Sequence, residues 1–338
     1  MRRFTISDIA ARAGVSKVAV SYALNDKPGV SEETRAAIKA IAAELDWRPS
    51  RAARSLKAAN ADAIGLVVCR PTHVLGHEPF FMELISGIES VLAGPSFGLM
   101  LQVVSSHEEE SAVHRRWWGE RQVDGVLLLD THVSDSRVPV LEGLGMPAVI
   151  LGPPQASDVL PTVWSDDAAS IREAVRYLAA LGHRRIARVA GQAAFAHTAI
   201  RDETLVQACE EAGLPAPVIV HTDYSGDEGA RATRQLLLAA ERPTAVLYDN
   251  DLMAVAGLGT AQELALNVPR DLSIVAWDDS ALTRVVRPAI TALTRDIRAY
   301  GARAARTLLA AMSDGSGTSS CMAAARLLPR ASTSPLNR

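Results

Sequence analysis

Thr5-Ile6-Ser7-Asp8-Ile9-Ala10-Ala11-Arg12-Ala13-Gly14-Val15-Ser16-Lys17-Val18-Ala19-Val20-Ser21-Tyr22-Ala23-Leu24 is a helix, a break and a second helix. Ile6, Ile9, Ala10 and Ala13 recur at helical spacing, and Ser7 and Asp8 suit a helix start. Gly14 stops that helix because glycine takes a left-handed backbone at no steric cost. Val15 then serves as an apolar plug and Ser16 as an N-cap for Lys17 to Leu24. Small Ala10 lets the two helices cross closely. With Val20, Ala23 and Leu24 turned inward, Lys17, Val18, Ser21 and Tyr22 face away from the core, where a major groove would lie. A third helix is expected from Ser31, in the capping-box-like Ser31-Glu32-Glu33-Thr34, to about Leu45, with Ile38, Ile41, Ala42 and Leu45 as its core stripe.

Charge separates this head from the rest of the chain. Residues 1–60 hold eleven Lys/Arg against six Asp/Glu, a net of +5, which leaves −8 on the remainder of a chain whose formal total is −3. A basic head on an acidic body suits a polyanionic partner, because local charge governs that affinity. After Trp47-Arg48-Pro49 comes Ser50-Arg51-Ala52-Ala53-Arg54-Ser55-Leu56-Lys57, a two-turn helix candidate too short to be stable alone.

Thr5-Ile6-Ser7-Asp8-Ile9-Ala10, Gly14-Val15-Ser16, Val20-Ser21, Leu24-Asn25, Val30-Ser31 and Arg54-Ser55-Leu56 resemble the lactose/galactose repressor (LacI/GalR) family. In that family the short segment is a hinge helix that folds on operator DNA, pairs with its twin and wedges a leucine into the minor groove. Leu56 matches that leucine, with Arg51, Arg54 and Lys57 beside it for phosphates. The resemblance also places Thr5, Ser16 and Asn25 on the DNA face. Ala19 stands where a phosphate-contacting threonine is common.

Beyond Asn60, strands are expected at Ala63 to Val68, Leu99 to Val104, Gly125 to Leu129, Ala148 to Leu151, Arg185 to Ala190, Val218 to His221, Ala245 to Tyr248 and Leu272 to Trp277. Helices are expected at about Phe80 to Leu92, Glu108 to Arg121, Asp167 to Leu181, Arg201 to Ala212, Asp227 to Ala240, Asn250 to Leu264 and Asp296 to Met312. Such alternation implies parallel sheets covered on both faces. The expected fold is an all-α helix-turn-helix head (1–49), a hinge helix or linker (50–60) and an α/β body (61–338). The resemblance, carried here by Gly182-His183-Arg184-Arg185-Ile186, Asn250-Asp251-Leu252-Met253-Ala254 and Trp277-Asp278-Asp279, implies two lobes of the type I periplasmic-binding-protein kind around a ligand cleft. Ser313 to Ser320 reads as a loop before a last apolar segment, Met322 to Leu328, and the tail lacks heptads.

The family's ligand positions fall on Phe80, Phe81, Arg201, Tyr224, Asn250, Asp278 and Tyr300. Tyr224 and the Phe pair offer apolar faces for a sugar, while Arg201, Asn250 and Asp278 can form paired hydrogen bonds to hydroxyls. Each has a plainer role open to it: Phe80 or Phe81 as core, Tyr224 at a strand end, Asn250 as an N-cap. Gly152-Pro153-Pro154 and Asp202-Glu203-Thr204-Leu205 depart from the family pattern and leave the effector's identity open.

Enzyme chemistry finds no centre, because the chain lacks Gly-x-Gly-x-x-Gly, a P-loop and His-Glu-x-x-His. Gly257-Leu258-Gly259 reads as a packing site. For Asp278-Asp279 the expectation is one carboxylate in the cleft and one capping the next segment. Cys69, Cys209 and Cys321 have no metal or disulfide spacing. Neither cofactor nor metal is expected. The start has no apolar stretch of a signal peptide and no run suits a membrane helix, so the reading is cytoplasmic and disfavours an exported solute-binding protein. The chain is expected to be a homodimeric repressor on double-stranded, pseudo-palindromic operator DNA, switched by a small effector. A sugar inducer is favoured over a corepressor such as a purine.

Overall fold

The computed structural model describes residues 4–47, 60–70, 75–154 and 157–336, which fall in two compact units divided between Ala61 and Asp62. In the first unit α1 (Ile6–Ala13), α2 (Lys17–Leu24) and α3 (Glu32–Glu44) enclose Ile9, Ala10, Val20, Ala23, Ile38 and Ala42. Local chemistry sets the boundaries. Gly14 ends α1 at φ +67°. Ser16 Oγ accepts from Ala19 N (3.1 Å), and Ser31 Oγ accepts from Thr34 N (3.3 Å), at the starts of α2 and α3. Arg35 donates to the carbonyls of Tyr22, Ala23 and Lys27, satisfying backbone groups that the end of α2 leaves open.

The second unit holds two six-stranded sheets. In lobe 1 the order is β11-β5-β4-β3-β1-β2, and all neighbouring pairs are parallel. Its strands are β1 (Ala63–Cys69), β2 (Gly98–Val104), β3 (Gly125–Leu128), β4 (Ala148–Leu151), β5 (Thr162–Ser165) and β11 (Ser320–Met322). Helices α4 (Pro79–Leu92), α5 (His107–Gly119) and α6 (Arg137–Leu144) belong to the same lobe. In lobe 2 the order is β12-β10-β9-β8-β6-β7, parallel except where β12 meets β10. Its strands are β6 (Ile186–Ala190), β7 (Val218–His221), β8 (Ala245–Tyr248), β9 (Ser273–Trp277), β10 (Thr291–Thr294) and β12 (Arg326–Leu328). Its helices are α7 (Asp167–Ala180), α8 (Ala196–Glu211), α9 (Gly226–Leu237), α10 (Asp251–Glu263) and α11 (Ala281–Val285). The central strands are buried on both faces because helices cover both.

The chain passes between lobes three times: from β5 to α7, from β10 to α12 (Ile297–Asp314), and from β11 to β12. Helix α12 therefore returns to lobe 1 and lies on α4, so closely that a Cβ at Gly87 would sit 2.1 Å from Arg298 O and one at Gly301 2.3 Å from Leu84 O. Glycine at both positions lets the two backbones touch.

Four expectations change here. The Ser313 to Ser320 loop is shorter, since α12 runs to Asp314, and the apolar segment Met322 to Leu328 is divided between two sheets. Helix α8 begins at Ala196, five residues before Arg201. Strands β5 and β10 and helix α6 stand where none was expected. Gly257 is a packing site, because a Cβ there would lie 2.2 Å from the Tyr248 hydroxyl.

Candidate functional site

On the first unit, Lys17, Val18 and Tyr22 are exposed and Ser21 is half-buried along α2, while Thr5, Ser16 and Asn25 are also exposed. The Lys27 ammonium lies 5.9 Å from the Tyr22 ring centroid, and Asn25 Nδ2 donates to Ser21 O at 2.6 Å. Val18 is 60% exposed, an apolar side chain that the unit's own core does not use. Arg51, Arg54 and Leu56, with the rest of segment 50–59, lie outside the described residues.

In the second unit a cavity of about 400 Å³ opens between the lobes, within the size range of small-molecule sites. Carboxyl ends of the parallel strands wall it, as open α/β sheets place their ligands. Lobe 1 supplies Arg70 after β1, Asp130 after β3, Gly152-Pro153-Pro154 after β4, and Glu78 and Phe80 at the start of α4. Lobe 2 supplies His197 and Arg201 on α8, Tyr224, Asp249-Asn250 after β8, and Trp277-Asp278 at the end of β9. Asp166, Asp167 and Arg295 come from the connections between lobes, and Tyr300 from α12.

Arginines in this cavity are already paired. Arg201 places Nε and Nη2 each 2.7 Å from Asp167 Oδ2, with its guanidinium 3.6 Å above the Trp277 ring. Arg295 grips Asp278 with two bonds (2.8 and 3.1 Å) and lies over Phe80. Arg70 reaches Asp130 at 2.9 Å, with the rings of Phe195 and Tyr224 at 4.9 and 5.1 Å. Burial alone would raise the Asp167 carboxyl, but Arg201 and Arg295 hold it below the usual carboxylate range. Asp249 is likewise buried, and Arg188 and Arg201 hold it down. Burial drives His197 down to about 4, so it is neutral at pH 7 and shares a 2.8 Å hydrogen bond with the Tyr224 hydroxyl. Tyr224 (φ +72°) and Asp278 (φ +66°) both hold a left-handed backbone without being glycine, a strain that clusters at ligand sites.

The expected effector residues gather here except Phe81. That side chain is 1% exposed and belongs to the lobe 1 core with Leu84 and Ile88, because positions 81, 84 and 88 are the inward stripe of α4 and position 80 is not. Asn250 does cap α10, accepting from Met253 N at 2.8 Å, and its amide donates to Tyr224 O. Tyr300 donates to Val163 O at 2.9 Å. Asp279 does not cap the next helix; Ser280 does, and Asp279 takes two bonds from Arg330 (2.8 and 2.7 Å) and one from Thr283. Arg70, Glu78, Asp167, His197 and Arg295 are site residues that no sequence pattern singled out. A position just past each parallel strand would have flagged Arg70, Asp130 and Asp249. Cys321 is exposed, Cys69 half-buried and Cys209 buried. Among the described residues no group of three or more His, Cys, Asp or Glu could hold a metal ion, and no helix is long and apolar enough to cross a membrane.

Comparison with known proteins gives two family matches: bacterial regulatory proteins of the lacI family over residues 5–50, and a periplasmic binding protein-like domain over residues 175–333. The HTH-type transcriptional repressor PurR of Erwinia tasmaniensis is 31% identical over 309 residues, covering 90% of this chain and 89% of the relative. Among solved structures, a LacI family transcriptional regulator from Bifidobacterium animalis subsp. lactis is 35% identical with a TM-score of 0.76, covering 82% of this chain and all of that one. The transcriptional regulator CelR, in a complex with cellobiose, is 29% identical with a TM-score of 0.74, covering 98% of this chain and all of that one.

Proposed function

The chain belongs to the LacI family of bacterial regulatory proteins and is a DNA-binding transcriptional repressor rather than an enzyme, and from that premise we propose that it acts as a homodimer released from its operator by a saccharide. One observation carries the choice of ligand. Arg70, Arg201 and Arg295 are each matched to a carboxylate, so the cavity offers polar but charge-compensated walls. Such walls suit a neutral polyol, whose hydroxyls gain orientation from charge-assisted hydrogen bonds, and they oppose a phosphate, which would meet Asp130, Asp166, Asp167 and Asp278. Aromatic side chains of Phe80, Trp164, Tyr224 and Trp277 line the same space, three of them backed by a guanidinium, and their remaining surface suits the C–H surface of a sugar. The related CelR was solved with cellobiose, which supports the class.

On this reading ligand binding favours one arrangement of the lobes over another, using the three connections as hinges. Asp62 and β1 follow segment 50–60 directly, so a change in lobe 1 is passed to a hinge helix carrying Arg51, Arg54 and Leu56. Two such helices pair across a two-fold operator. The working place is the cytoplasm, where the operator lies. A thermal-shift series with cellobiose, maltose, D-glucose, glucose 6-phosphate and hypoxanthine tests the class. Binding raises stability by RT ln(1 + [L]/Kd), about 2.7 kcal/mol at a hundred times Kd. A neutral saccharide should raise the melting temperature and glucose 6-phosphate should not. A shift with hypoxanthine alone would favour the corepressor reading.

A further inference from the structure

Among the described residues, three buried polar atoms of cavity-lining side chains have no hydrogen-bond partner: Arg70 Nε, Glu78 Oε2 and Trp277 Nε1. The Arg70 and Glu78 atoms face each other at 4.0 Å, too far for a hydrogen bond. Arg70 is not free to close that gap. Arg70 is fixed by Asp130 at 2.9 Å, by donation to Cys69 O at 3.2 Å and by the rings around it. Glu78 is the N-cap residue of α4, yet its carboxylate makes no capping hydrogen bond, and Pro79, which lacks an N–H, follows it. Leaving such groups unpaired costs on the order of a hydrogen bond each, so the site is built for something that pairs them.

We propose that Arg70 and Glu78 together read one hydroxyl of the effector, while Trp277 donates to a second oxygen of the same molecule. A single oxygen about 2.8 Å from each partner spans a gap of this width. It accepts from Arg70 Nε and passes its hydrogen to Glu78 Oε2. Only a group that is donor and acceptor at once satisfies both atoms. An ether oxygen leaves Glu78 unmatched, a carbonyl does the same, and a deoxy position leaves both. Burial, opposed by Arg70, pushes the Glu78 carboxyl up to about 7. The discrimination belongs to the carboxylate form, because a protonated Glu78 would donate to an ether or carbonyl oxygen as readily, so it is read above that pH. Arg70 and Glu78 are thus specificity-determining residues, on lobe 1, that add to those matched by resemblance; this assignment rests on the polyol reading of the cleft.

Calorimetry on the full chain at pH 8.5, where Glu78 is the carboxylate, tests it, first with cellobiose, maltose, D-glucose, D-galactose and D-ribose, then with each monodeoxy and mono-O-methyl derivative of the tightest binder. At one ring position both changes should weaken binding to the wild type by about 100-fold or more, as happens when a site built for a hydroxyl loses it. Glu78→Met should lower the parent sugar's affinity by about tenfold or more toward that of the deoxy derivative, the remaining Arg70 contact keeping the two apart, while leaving the derivative within about threefold of its wild-type value. Glu78→Gln, which keeps the side-chain shape, should show the same pattern at smaller amplitude and decides the matter if the Met variant does not fold. Equal losses for parent and deoxy sugar would make Glu78 merely structural and overturn the subsite while the polyol site stands. Binding of none of the saccharides would remove both.

Discussion

Arg201→Ala removes the cation on which two buried carboxylates converge, and the structure separates their fates. Asp249 keeps two bonds from Arg188 (3.0 and 2.7 Å) and one from Gly191 N (2.9 Å), so its charge stays compensated. Asp167 keeps Ser165 Oγ at 2.9 Å and the more distant charge of Arg295, but loses both of its close guanidinium contacts. Stripping one partner from a buried pair costs about 3–5 kcal/mol, a large part of the 5–15 kcal/mol typical of a folded domain. Losing the guanidinium from the Trp277 face, 3.6 Å away, adds to this. Most of the penalty is the orphaned Asp167 charge, so Arg201→Ala with Asp167→Asn should be more stable than Arg201→Ala alone, by about 1–3 kcal/mol. Urea unfolding at pH 7, followed by tryptophan fluorescence, measures all three proteins. Arg201→Ala within about 1 kcal/mol of wild type, or a double variant less stable than the single, would mean that the orphaned charge is not what sets the cost.

Other perturbations separate core from surface. Gly65→Ala would put a Cβ 2.5 Å from Trp117 Cζ3 and 3.0 Å from Val126 Cγ1; overpacking of this kind costs about 1–3 kcal/mol, and an unchanged melting temperature would contradict the packing of β1 on α5. His114 is fully buried, and burial, reinforced by Arg137, takes it down to about 4 from an ordinary value near 6.5. The sign follows from the lowered folded value: its contribution is complete above pH 6.5 and is lost as pH falls toward 4, at up to about 1.4 kcal/mol per pH unit. His114→Gln should flatten the acid side of a melting-temperature profile over that window; parallel profiles would exclude it. On the DNA head, Lys17→Ala or Tyr22→Ala should change base preference by about 1–3 kcal/mol per lost contact, read by competition between selected and altered sites. Retained preference in both variants would remove α2 from the groove.

The head was legible because its determinants are local. Gly14, Ser16 and Ser31 act within four residues of themselves, and the apolar stripes of α1 to α3 follow one period. The longer apolar runs of the body announced their strands for the same reason. Strands β5, β10, β11 and β12 hold only two apolar residues each and exist through pairing with distant segments, so no local pattern marks them. The division of Met322 to Leu328 between two lobes is a tertiary fact of the same kind. At the site, family positions brought Phe80, Arg201, Tyr224, Asn250, Asp278 and Tyr300 to the cavity wall. Their partners stayed hidden, because Arg201 with Asp167 and Arg295 with Asp278 join residues far apart in sequence. Phe81 was a legible error: the Phe81, Leu84, Ile88 stripe already assigned it to the core.

Whether this repressor is a two-fold DNA reader released by a sugar is decided by selecting bound sites from a random duplex pool and titrating the best one by anisotropy, with and without the tightest-binding saccharide. A two-fold symmetric site should be enriched, and its affinity should fall steeply with salt, by about 0.9 log units per log unit for each phosphate contacted. With the saccharide present, affinity should drop by about tenfold or more, roughly 1.4 kcal/mol of coupling. Selection of asymmetric or unrelated sequences, or an affinity indifferent to a sugar that demonstrably occupies the cleft, would contradict both halves of that description.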